Sequence, residues 1–80
     1  MAERLEELTD HLQYGHAVIA YQKQNGDFRL VKATLIYYEA VFHKKYDPTK
    51  IEGAVVYWNV DEQRWTTFQV ENFMEWRPIV

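Results

Sequence analysis

The chain has 80 residues, a formal net charge of −3, no cysteine, and 16% aromatic residues. That length is one domain, and a chain so short buries only about 60–65% of its unfolded surface, so each ring carries an unusual share of the core. The missing cysteines exclude disulfides and a thiolate zinc site, and the acidic balance argues against a broad electrostatic grip on nucleic acid. No apolar run approaches the roughly 18 residues of a membrane span, and the charged start MAERLEEL is unlike a signal peptide. A reducing, cytoplasmic setting is expected.

Residues 2–13, AERLEELTDHLQ, predict an amphipathic helix. Leu5, Leu8 and Leu12 make one stripe, Glu3, Glu6 and Glu7 favour the positive end of the helix dipole, and Gly15 is the expected stop. Three leucines cannot hold an isolated helix, so the stripe must lie on something. HAVIAYQK (16–23) alternates as a strand, with Ala17, Ile19 and Tyr21 on one face. Asn25-Gly26 predicts a two-residue type I′ turn into the return strand FRLVKATLIYY (28–38).

Residues 37–52, YYEAVFHKKYDPTKIE, predict a long, partly ordered excursion. Tyr38, Phe42 and Tyr46 are spaced for a helical turn, and Asp47-Pro48 signals a reverse turn. AVVYWNV and WTTFQV, joined by DEQR, form a second hairpin, and ENFMEWRP gives a tight turn and a short last strand ending at Pro78. The expected architecture is mainly β with one N-terminal helix: residues 1–80 form a single domain, helix about 2–13, five-stranded antiparallel SH3-like or Sm-like barrel about 16–77.

NGDFRLVKAT (25–34) followed by YWNVDEQRWTTFQVENF (57–73) resembles the WYL-like group of small Sm-like, SH3-type barrels, in their stand-alone bacterial and phage form. Trp65, Thr67 and Phe68 match the W-x-[ST]-F pattern of that group. The resemblance implies ligand sensing, with nucleotides or nucleic acid as the usual suggested ligands. Thr66 and Gln69 stand where the pattern has basic residues, and the strand reads AVVYW in place of the tripeptide that names the group. Those departures remove the cations that would hold a phosphate. The resemblance also implies a register for the second hairpin, with Val55, Tyr57 and Val60 inward opposite Phe68 and Val70, which requires a bulge near Asn59-Val60, and with Val56 and Trp58 outward.

The surplus of rings therefore directs the reading toward protein contact. Trp58 is the expected anchor, with Val56 beside it and Tyr38 and Phe42 at the rim; Trp is the residue most enriched at binding hot spots. The alternative is a nucleotide or single-strand sensor using Arg29, Lys44, Lys45 and Arg64, with Tyr21, Tyr37 and Tyr38 as a stacking platform. A third reading is a homodimer through an uncovered strand edge beside Val56 and Trp58. His11, His16 and His43 lack the spacing of a metal site, and no nucleophile motif or phosphate loop is present, so neither catalysis nor a cofactor is expected.

Overall fold

The computed structural model describes residues 2–80, with side chains from Leu5 onward. Helix α1 spans Ala2–Leu12. Leu5, Leu8 and Leu12 are all buried, as their spacing requires, and Thr9 joins them with no exposure. A threonine is tolerated on that face because its Oγ1 donates back to the Leu5 carbonyl at 2.9 Å, satisfying the hydroxyl without water. The expected contribution of Glu3 lies outside the described side chains. Gly15 does not end the helix through a left-handed backbone, since only Gly26 and Gly53 among the glycines have positive φ. The end of α1 is instead tied to the sheet: the Leu35 N–H donates to the Leu12 carbonyl at 2.8 Å, and Thr34 Oγ1 donates to the Gly15 carbonyl at 2.7 Å.

Strands β1 (His16–Gln22), β2 (Phe28–Thr34), β3 (Ala54–Asn59), β4 (Arg64–Gln69) and β5 (Phe73–Ile79) form one sheet in the order β4-β3-β2-β1-β5. Every pairing is antiparallel. The chain is thus mainly β with a leading helix, consistent with an SH3-like or Sm-like fold, but the sheet is not closed as a barrel would be. β4 and β5 are its two margins and share no ladder. Rings bridge the gap instead of backbone hydrogen bonds: Phe68 of β4 stacks on Tyr21 of β1 at 5.3 Å and on Phe73 of β5 at 5.8 Å between centroids. Pro78 sits in β5, opposite Ala17 on a margin strand, the place in a sheet where proline is accommodated.

Two turns differ from expectation. The first hairpin closes through Gly26 N–H to the Lys23 carbonyl (2.9 Å) and Lys23 N–H to the Asp27 carbonyl (2.8 Å). Only Gly26 has positive φ, +89°, so the loop is a wider turn with one left-handed residue and not the two-residue type I′ form. In the second hairpin Asn59 pairs with Arg64, so the turn is residues 60–63. No bulge brings Val60 inward. Asn59 takes the third inward position after Val55 and Tyr57 and is buried. Its Oδ1 accepts the Glu62 N–H at 2.9 Å, which lets an amide occupy a core position and shapes the turn.

The excursion between β2 and β3 holds a short helix α2 (Tyr38–Phe42) and a 3-10 turn (Pro48–Lys50). His43 ends α2 in the left-handed region at φ +58°. Asp47 caps the 3-10 turn, its Oδ1 accepting from Thr49 N–H at 2.9 Å and Thr49 Oγ1 at 2.6 Å.

Candidate functional site

The inward face of the β3–β4 hairpin is sealed. Tyr57 is fully buried and its hydroxyl lies 3.0 Å from that of Tyr21, one donating to the other. Burial, and then the bond to Tyr21, pushes the Tyr57 phenol above its ordinary value. Tyr21 is therefore part of the interior and cannot share a stacking platform with Tyr37 and Tyr38.

The outward face carries a second aromatic layer. Trp58 and Trp65 face each other across the two strands at 5.4 Å, and α2 lies over them. Phe42 packs on Trp65 at 5.0 Å and on Tyr38 at 4.7 Å, while Tyr37 meets Trp58 edge-on at 5.9 Å. Trp58 is half-buried as a result. The indole expected to stand free is covered on one side by the excursion, and the exposed apolar surface is displaced onto that excursion: Tyr37 is 48%, Val41 49% and Phe42 41% exposed. The fold thus brings Trp58, Tyr38 and Phe42 into one layer. Trp65, marked in the sequence only by the W-x-[ST]-F match, supplies the floor.

Val56 lies on the same outward face but opens on a neighbouring groove of about 460 Å³, walled by Tyr38, Tyr46, Lys44, Lys45 and Lys50. Burial pushes the Tyr46 phenol up to about 12, with Tyr38 and Asp47 acting in the same direction, so it remains a neutral hydroxyl at physiological pH. The sequence marked Tyr46 only through its helical spacing with Tyr38 and Phe42, although α2 ends at Phe42, and Lys50 was not singled out, since a lone lysine beside Asp47-Pro48 gives no pattern to find.

The expected cations divide between two places. Lys44 and Lys45 border that groove, whereas Arg29 and Arg64 line a cleft of about 440 Å³ on another part of the surface, together with Lys23, Thr66, Gln69 and Asn72. Glu62 bridges the two arginines, accepting from Arg29 Nη2 at 3.0 Å and Arg64 Nε at 2.8 Å. The hydrogen bond from Arg29, then that from Arg64, holds the Glu62 carboxyl below the usual carboxylate range, and the same bond raises Arg29. Glu62 and Lys23 are contributions that chain order concealed, because Arg29 reaches Glu62 and Lys23 joins this cleft only in the folded sheet, although Arg64 lies two residues from Glu62.

At the edge expected beside Val56 and Trp58, β4 flanks β3 along its length and β2 pairs with it at Trp58 and Asn59, whereas the β2–β3 ladder does not extend to Val56. Among the described residues no group of three His, Asp or Glu is placed to hold a metal ion, and no helix is long and apolar enough to cross a membrane.

A five-stranded antiparallel sheet with a leading helix, a layered aromatic hairpin and open surface clefts defines an SH3-type, Sm-like module, a fold that supports a small binding module. The WYL_2 family, described as an Sm-like SH3 β-barrel fold, matches residues 5–74, and the chain belongs to that family. No curated protein and no solved structure matches the chain significantly.

Proposed function

We propose that this chain is a non-enzymatic binding module, a bacterial or phage regulatory factor of the cytoplasm that acts by docking a protein partner on its outward aromatic layer. The observation that carries this reading is the placement of exposed Tyr37, Val41 and Phe42 on a base of Trp58 and Trp65. Exposed side chains on a preorganised aromatic base bind at low entropic cost, because the rings are already ordered by one another. Tyr37→Ala and Phe42→Ala remove exposed surface and leave the interior intact. A pull-down from host lysate, with and without nuclease, is expected to recover a nuclease-resistant protein partner with the wild type and to lose it with the double variant. Equal recovery by both proteins overturns the reading.

A second reading rests on the Arg29–Arg64 cleft. Lys23 and the two arginines against one Glu62 leave a positive balance beside Thr66, Gln69 and Asn72, suited to an anionic nucleotide or single strand. It predicts oligonucleotide binding at low salt that weakens in Arg29→Gln/Arg64→Gln. No binding at low salt removes it.

A further inference from the structure

The groove beside Val56 has a composition that specifies more than an apolar contact. Its apolar lining is Val56, Ile51, Tyr38 and Tyr46, and Lys44, Lys45 and Lys50 line it as well. The single acid at the rim is Asp47, and its carboxylate is already engaged. Oδ1 takes both donors of Thr49, and Oδ2 lies 4.0 Å from Lys50 Nζ. Those hydrogen bonds from Thr49 lower the Asp47 carboxyl below its ordinary range, as for an acceptor whose charge is in use. Lys44 and Lys45 are exposed and enter no ion pair among the described residues. The left-handed His43 turns the chain sharply after α2, just before these two lysines.

Resting on the docking function proposed above, we propose that this groove takes a short acidic segment of the partner protein, with an aliphatic or aromatic side chain seated against Val56 and Tyr46 and flanking carboxylates on Lys44 and Lys45. The local charge is opposite to that of the whole molecule, and this decides the class of partner. Screening confines each charge to about 8 Å at physiological salt, so a short acidic peptide meets the lysines alone. A nucleic acid carries its charge at every residue and would extend over the acidic remainder of a chain whose net charge is −3. The apolar floor rewards a hydrophobic anchor that a sugar-phosphate backbone does not offer.

The test is selection of short random peptides displayed on phage against the immobilised full chain. The strongest binder is then synthesised and titrated by fluorescence anisotropy at low and physiological salt. Enriched peptides are expected to place Asp or Glu around one apolar residue. Lys44→Glu/Lys45→Glu, which alters only exposed side chains, is expected to weaken the selected peptide by about tenfold or more, whereas Lys44→Arg/Lys45→Arg and Arg29→Gln/Arg64→Gln retain it. Thermal melts of each variant confirm folding. Selected peptides that are apolar without acids and indifferent to charge reversal overturn this inference and leave aromatic-layer docking standing. No enrichment likewise overturns this inference, and the pull-down with the Tyr37→Ala/Phe42→Ala variant decides aromatic-layer docking separately. Displacement of the peptide by oligothymidylate, lost on the same charge reversal, assigns the groove to nucleic acid and overturns the acidic-peptide assignment.

Discussion

Trp58 of β3 and Trp65 of β4 stand directly opposite one another, their ring centroids 5.4 Å apart and their planes 67° from parallel. Edge-to-face pairs of this kind contribute beyond their buried area. Trp58 is thus a structural member of the layer as well as its floor. Trp58→Ala is expected to lower stability by about 2 kcal/mol, less than the loss for a fully buried indole because the residue is half-exposed. Tyr37→Ala, at the exposed end of the same contact, is expected to cost about 0.5 kcal/mol. Urea unfolding of the two variants checks the ranking.

The Tyr21–Tyr57 hydroxyl pair makes a second prediction. Each hydroxyl sits where water does not compete, so removal of one leaves the other short of a partner. Tyr57→Phe is expected to cost about 1–2 kcal/mol, and Tyr21→Phe/Tyr57→Phe less than the sum of the single variants. A double-mutant cycle in urea measures that coupling, and strict additivity contradicts it.

Glu62 predicts a pH dependence of definite sign. Its carboxyl is held below the ordinary value of 4.5 by Arg29 and Arg64. Its contribution to stability is complete above pH 4.5 and disappears as pH falls through the lower folded-state value. Glu62→Gln is expected to lower the melting temperature slightly at pH 7 and to flatten its decline on acidification. Melts from pH 7 to strongly acid conditions, compared between the two proteins, check the slope.

The two hairpin turns predict opposite responses. Gly26 holds φ +89°, so Gly26→Ala is expected to destabilise by about 1 kcal/mol even though no atom lies within 4 Å of the added carbon. Gln63 holds φ +54° without being glycine. Gln63→Gly relieves that strain and is expected to stabilise by about 0.5 kcal/mol. Midpoints of thermal unfolding distinguish the signs.

Much of this arrangement was legible in the chain because local periodicity determined it. The leucine stripe places α1 and alternation in 16–22 places β1, while the family resemblance supplies the β3 register with the correct inward residues up to Tyr57. The reading failed where a polar group won a core position through a partner that periodicity does not reveal. Asn59 displaces Val60 from the interior because the Glu62 N–H satisfies its amide. Closure of the sheet was also misjudged. Strand count does not report whether the outer strands meet, and here the rings of Phe68 and Phe73 span the interval. The candidate site was half legible: ring spacing in the excursion brought Tyr38 and Phe42 together, whereas the separation of Arg29 and Arg64 from Lys44 and Lys45 depends on which elements the sheet order makes neighbours.

Trp76 lies apart from the other two indoles. It packs against the His11 ring at 5.6 Å, and His11 Nε2 donates to the His16 carbonyl at 2.8 Å, fastening the helix to the first strand. The chain therefore carries two built-in optical probes. Coupled indole transitions of Trp58 and Trp65 in circular dichroism report whether the hairpin is assembled, and quenching of Trp76 by the imidazole reports whether the helix is seated. Loosening of one region ahead of the other would register as two non-coincident spectroscopic transitions, with no label attached.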